Sequence, residues 1–302
     1  MGVVTGAGLG ERLSLMDDET AAKYVLLDFE LVALIALVSG VLVYALFRRL
    51  RRDPLADEGR REPDFDGFDL LLVLFPAMLF LINPIAEAFV AGKPETGVEP
   101  DKNGPDVVSL LMNLGYFTFV GVMTYGLIEW VRNRRVSDLF GLRRLPAANI
   151  IVISIIAGIF SLLVCGWIVG DFASDWLEGV FGDLDLQEPV KMLRDSESTL
   201  HLVLSIAMAC VAAPVVEEML FRGYLYGTLR RLTHPVFATF IVGALFAVVH
   251  GNLPALLPLW VFSILLSLAY EFTRCLWVPV GMHVFFNAAN IVLMLMPETG
   301  ES

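Results

Sequence analysis

Long apolar runs alternate with short charged or Pro/Gly-rich stretches along this chain, and the runs set its expected architecture. Eight segments reach or approach the ~20 predominantly apolar residues that a helix needs to cross a bilayer. They cover residues 24–47, 70–91, 107–131, 149–169, 200–221, 236–250, 255–273 and 276–296. The sixth is short for a full crossing, and Gly251-Asn252-Leu253-Pro254 predicts a tight hairpin from it into the seventh. The expected fold class is all-α: a polytopic membrane protein of about eight transmembrane helices, with its chemistry concentrated in a C-terminal bundle. Residues 1–136 form an N-terminal region of three spans and residues 137–302 a core of five. The acidic patch Asp17-Asp18-Glu19 precedes the first run, where a cleaved signal would carry basic residues, so that run reads as a retained span.

Arginine placement orients the spans. Arg48, Arg49, Arg51, Arg52, Arg60 and Arg61 follow the first run, and Arg132, Arg134, Arg135, Arg143 and Arg144 follow the third. Arg230 and Arg231 follow the fifth, and Arg274 the seventh. With eight alternating spans these loops share one side, which positive-inside bias makes cytoplasmic, so both termini are expected outside. The acidic loops 92–106 and 170–199 share the other side. In the second, Phe172, Trp176, Leu177, Val180 and Phe181 predict an amphipathic helix lying on the outer surface. No transit peptide or retention signal is visible, which favours a prokaryotic cytoplasmic membrane.

Composition agrees with this reading. The chain is 57% hydrophobic and 18% charged, against roughly 45–50% and about 25% in soluble domains. One membrane domain is therefore expected rather than two soluble ones. The formal net charge of −12 hides the segregation of acids and arginines between loops. No basic stripe with interleaved aromatics occurs, which argues against nucleic acid as a partner. Cys165, Cys210 and Cys275 lie far apart in or beside apolar runs and read as small buried residues, not as a disulfide framework or zinc knuckle.

A charge inside a span costs roughly 2.5–3.5 kcal/mol on insertion scales and needs a reason. Asp28, Glu30, Glu129 and Glu271 lie near span ends, where an interfacial structural role suffices. Asn83-Pro84, with Glu87 one turn on, suggests a kink. The fifth run differs, because it carries Glu217-Glu218 and then Arg222. Glu218 and Arg222 are four apart and can pair on one helix face. Glu217 points about 100° away and is left to seek a water, a histidine or a metal. His250 closes the sixth run. The eighth carries His283 and Asn287 four apart, with Asn290 extending the polar stripe. Polar groups in a lipid-embedded bundle turn inward and find one another. Together they can supply a base for water, imidazole or carboxylate ligands for a divalent metal, and donors for an oxyanion. If a metal such as zinc is bound, its ligands are Glu217, His250 and His283. Neither a His-Glu-x-x-His helix nor a Gly-x-Ser-Gly turn is present.

Glu217-Glu218-x-x-x-Arg222, Phe246-x-x-x-His250 and His283-x-x-x-Asn287 resemble the signature of the CPBP family (CAAX protease and bacteriocin-processing, Abi-type), whose members are intramembrane glutamate proteases. Ser137-Asp138-Leu139-Phe140-Gly141-Leu142-Arg143 and Tyr270-Glu271-x-Thr273-x-x-x-Trp277-x-Pro279 resemble its connecting segments. The likeness covers roughly residues 139–297. It implies an endopeptidase acting on a membrane-associated or lipid-modified peptide or protein within the bilayer. Glu217 would be the base that activates water, and His250 would orient that water or bind a metal. His283 and Asn287 would hold the oxyanion, and Glu218 and Arg222 would support the geometry. A non-catalytic membrane scaffold or regulator of the same fold, and an ion-coupled transporter using the same Glu and His, are the competing expectations. If the sixth segment crosses fully, His250 ends on the outer side, far from the others, so that segment is expected to be short, tilted or deep.

Overall fold

The computed structural model describes residues 65–91, 107–170, 199–250 and 255–295. The first expected span, Asp28, Glu30, the amphipathic helix at 172–181 and the turn at 251–254 lie outside the described residues. Helix α1 is Gly67–Ala91 and runs on through Pro84. Helix α2 is Val107–Gly126, continued by a widened π-type stretch Leu127–Val131. The short α3 is Val136–Leu139. Helix α4 is Ala147–Leu162, with a widened stretch Leu163–Gly170. Helix α5 is Thr199–Leu232, α6 is Pro235–Val248, α7 is Leu256–Thr273 and α8 is Trp277–Leu295. Among the described residues there is no strand. The other seven expected apolar runs all coincide with helices.

Among the described residues, four stretches are long and apolar enough to cross a membrane: Leu110–Val131, Ala147–Gly166, Thr199–Leu232 and Leu256–Thr273. Shorter apolar helices lie in α1, α6 and α8. The packing is that of a polytopic membrane protein. Ile151, Val152, Ile156 and Phe160 on α4 and Phe272 on α7 are exposed, while Ser154, Ser161, Ser263 and Ser267 are buried. Apolar side chains face outward because lipid is as apolar as they are, and small or polar residues let helices approach closely. On α4 the inward Ser154 and Gly158 meet α8, where Ser154 Oγ donates to the Val278 carbonyl at 3.0 Å.

The fifth span ends later than the sequence suggested. Phe221 is its expected end because Arg222 resembles an interfacial charge. In the structure Arg222 is fully buried and helix continues through it to Leu232. At about 1.5 Å per residue the 34-residue rod is about 51 Å long, well beyond the ~30 Å hydrocarbon layer. The widened stretches Met208–Ala212 and Met219–Tyr226 flank a regular segment, Ala213–Glu218. Pro214 in that segment has no N–H to donate, which removes one rung of the ladder beside the first widened stretch.

Two clusters fix α5 among its neighbours. Asp69 of α1 is buried and binds Arg132 Nε at 2.8 Å and Arg134 at 3.5 Å, beyond the end of α2. The Tyr224 hydroxyl of α5 lies 3.4 Å from the same carboxylate. On another side, Phe140 after α3 packs over Gly223, where an added Cβ would stand 2.7 Å from its ring. The Phe140 carbonyl accepts from Leu276 N–H at 3.0 Å, just before α8. Gly141 has φ +63°, and a Cβ there would lie 1.9 Å from the Arg274 carbonyl. The Ser137–Arg143 segment thus clamps α5 to the start of α8.

Candidate active site

Helix α6 answers the geometric question about His250. It has 14 residues, about 21 Å of axis, too short for a full crossing. Along their axes, Glu217 lies about 22 Å from Leu232 of α5, and His250 about 22 Å from Pro235 of α6. The two residues are therefore matched in distance from the same turn between α5 and α6.

His250 and His283 converge on Glu217. Glu217 Oε2 lies 4.0 Å from His250 Nε2 and 4.0 Å from His283 Nε2. That oxygen is buried and has no hydrogen-bond partner, and neither does Glu218 Oε2. Glu217 is 7% exposed and His283 3%, while His250 is partly open. The expectation that Glu218, not Glu217, pairs with Arg222 holds: Glu218 Oε1 lies 2.9 Å from Arg222 Nη1. The same oxygen lies 2.9 Å from His283 Nδ1.

These contacts assign the ring protons. A carbonyl oxygen only accepts, so His250 Nδ1, 2.6 Å from the Phe246 carbonyl, carries a hydrogen. A carboxylate likewise only accepts, so His283 Nδ1 donates to Glu218. Both Nε2 atoms are left facing Glu217 Oε2. Two atoms 4.0 Å apart can each hold a water at about 2.8 Å, at an angle near 90°. Tetrahedral zinc, with ligands at ~2.0–2.2 Å, sets its ligand atoms only about 3.3 Å apart. The donor types suit zinc, but Glu217 Oε2 stands farther from each Nε2 than that spacing. Among the described residues no group of His, Cys, Asp or Glu is arranged to hold a metal ion.

Sequence spacing did not reveal how this cluster is supported. Phe246, the first residue of its motif, has its ring 4.6 Å from that of His250 and 5.7 Å from that of His283. The Arg222 guanidinium stacks 4.4 Å from the same ring's centre. Phe262 meets His283 edge-on at 5.4 Å. Ser263 of α7 receives Arg222 through both its hydroxyl and its carbonyl. Asn287 lies one turn beyond His283, and its amide donates to the Ala209 carbonyl of α5 at 2.8 Å. That bond uses one of its two N–H groups. Asn290 does not extend the stripe toward the site but donates to its own helix, at Phe286. Glu129 and Glu271 have the structural roles expected of them. Glu129 accepts from Val136 N–H at 2.7 Å. Glu271 binds Tyr226, Arg230 and Arg274.

The helices that build this cluster are also those matched in known proteins. Residues 199–289 match the family described as type II CAAX prenyl endopeptidase Rce1-like. That segment of the chain is similar to the CAAX protease family. It is 27% identical over 137 residues to "Putative membrane peptidase YdiL" of Bacillus subtilis (strain 168), covering 43% of this chain and 56% of that protein. It is also 27% identical over 100 residues to "Membrane-embedded CAAX protease MroQ" of Staphylococcus aureus (strain USA300), covering 31% of this chain and 40% of that one. The chain thus spans about half the length of the curated relatives it matches. No solved structure matches it. With its apolar helices and these bacterial relatives, the chain is an integral membrane protein.

Proposed function

We propose that this chain is an intramembrane endopeptidase that hydrolyses a peptide bond of a membrane-associated or lipid-modified substrate, using water activated by Glu217. The observation that carries this reading is the meeting of Glu217 Oε2 with two imidazole Nε2 atoms at 4.0 Å, from three different helices. Buried charge supports it. Glu217 and Glu218 face one guanidinium, Arg222, so the cluster is one positive charge short of neutrality. A proton on His283, held by Glu218, makes up that charge and turns Nε2 into a donor.

The steps follow from these roles. Water sits between Glu217 and His250, donating one hydrogen to each. Its oxygen attacks the scissile carbonyl carbon as its proton passes to the Glu217 carboxylate. The tetrahedral oxyanion is held by His283 Nε2–H and by the remaining N–H of Asn287. Collapse breaks the C–N bond as Glu217 returns its proton to the leaving nitrogen. The second water proton, still on the new carboxyl group, passes to the released amine, so a carboxylate and an ammonium result and Glu217 ends as it began. Glu218, Arg222 and Phe246 position the imidazoles without touching the substrate.

The test is hydrolysis in proteoliposomes of a membrane-anchored, lipid-modified peptide, run in ¹⁸O-labelled water. The native chain is expected to place one ¹⁸O in the new carboxyl terminus, and Glu217→Gln to fall by at least about a hundredfold while remaining folded. Cleavage by Glu217→Gln at the native rate would overturn the assignment.

A further inference from the structure

A second concave site lies at the arginine-rich end of the bundle. It is a cavity of about 320 Å³, and Arg144, Arg230, Arg231 and Arg274 line it together with Asp138. The four arginines come from three segments well separated in sequence. Arg144 follows α3, Arg230 and Arg231 end α5, and Arg274 follows α7. Arg230 and Arg274 are held in place by Glu271, at 2.8 and 2.7 Å. Phe65 and Tyr270 give the cavity apolar walls. Gly227, also in the lining, leaves room for the Phe65 ring, which a Cβ would approach to 2.7 Å.

We propose that this cavity binds the phosphate of an amphiphilic anion, the phosphodiester headgroup of an anionic membrane lipid. Guanidinium groups donate paired N–H bonds to two phosphate oxygens at once, so several arginines around one cavity favour phosphate over a single carboxylate. Basic pockets between membrane helices receive anionic headgroups in this way. The volume suits a headgroup, and the aromatic walls suit the glycerol and the first carbons of the chains. The site is separate from the catalytic cluster. Arg230 stands about 20 Å along α5 from Glu217. An occupant would bridge α5, α7 and the α3 clamp, the elements that hold Glu217, Glu218 and Ser263 in place.

The test uses the delipidated full chain in detergent, titrated with phosphatidylglycerol or acyl-matched phosphatidylcholine and read by native mass spectrometry. The native chain is expected to bind phosphatidylglycerol at least about fivefold more tightly than phosphatidylcholine. A basic residue near an anionic headgroup is worth about 1 kcal/mol, or about fivefold. Arg144→Gln/Arg231→Gln should therefore weaken phosphatidylglycerol about 25-fold and leave phosphatidylcholine unchanged. If the double variant fails to fold, Arg144→Gln alone is read instead, with about a fivefold loss expected. Millimolar inorganic phosphate should displace phosphatidylglycerol from the native chain. Arginine-dependent binding of inorganic phosphate without a lipid preference would assign the same cavity to a free phosphate compound. Native phosphatidylglycerol affinity in the arginine variants, or no binding of either anion by the native chain, would overturn the proposal.

Discussion

Glu218 Oε1 stands 2.9 Å from Nδ1 of His283, so the carboxylate that neutralises Arg222 also sets the orientation of an imidazole in the candidate active site. The two roles can be separated. Glu218→Leu leaves Arg222 buried without its partner, which costs about 3–5 kcal/mol. Glu218→Leu/Arg222→Met removes both charges and should recover most of that loss in thermal or denaturant unfolding. Hydrolysis should stay at least about tenfold down in the double variant, because His283 has lost its acceptor. Recovery of activity together with stability would show that Glu218 serves only as a counter-ion.

Asn287 makes one structural bond and has one donor to spare. Asn287→Ala should lower kcat by about 10²–10³, the usual consequence of removing an oxyanion donor, with KM little changed. The lost bond to Ala209 should cost only about 1 kcal/mol of stability. Asn287→Asp, which keeps the shape without the N–H, should be no better than the alanine. A fall confined to stability would assign Asn287 to α5–α8 packing alone.

The sequence read well where periodicity and lipid chemistry act alone. Seven apolar runs became helices because a bilayer interior demands backbone self-satisfaction, which a helix of that length provides. Glu217, His250 and His283 met because polar side chains in lipid turn toward one another. Features that depend on depth were harder to read. Arg222 looked like a boundary because no local sequence rule reveals that Ser263, 41 residues on, receives it. Asp69 went unnoticed because its partners, Arg132 and Tyr224, lie in other helices. Phe246 stood in its motif without a role because aromatic contacts with two histidines and an arginine exist only after folding. Gly141 could have been read as a positive-φ position from its place after a one-turn helix, but its close approach to the Arg274 carbonyl could not.

At the end of α1, Asp66 binds Arg132 at 2.7 Å, outside the apolar zone. Burial pushes its carboxyl up. The N–H groups of Asp69 and Phe68 and the Arg132 guanidinium outweigh this and hold it below the usual carboxylate value. A depressed folded value means the stabilisation is complete above the unfolded value of ~3.9 and is lost as pH falls through the folded one. The Asp66 side chain is 54% exposed, so the effect is that of a surface pair, under about 1 kcal/mol and weakened by salt. The Tm of the native chain should exceed that of Asp66→Asn slightly at pH 6, and the difference should shrink as pH falls below the unfolded value of ~3.9. A gap that does not shrink on acidification would place the stabilisation elsewhere.

The width of the cluster decides how the protein should respond to chelators. Zinc would need Glu217 Oε2 and the two Nε2 atoms about 3.3 Å apart, and Glu217 Oε2 stands 4.0 Å from each Nε2. Closing those gaps would pull His283 away from Glu218, at 2.9 Å, or His250 away from the Phe246 carbonyl, at 2.6 Å. The cluster should therefore act on water directly. Treatment with 1,10-phenanthroline or EDTA, followed by desalting, is expected to leave the hydrolysis rate unchanged. Loss of activity restored by one equivalent of zinc would show that the three side chains do close on a metal, and that Glu218 releases His283 when they do.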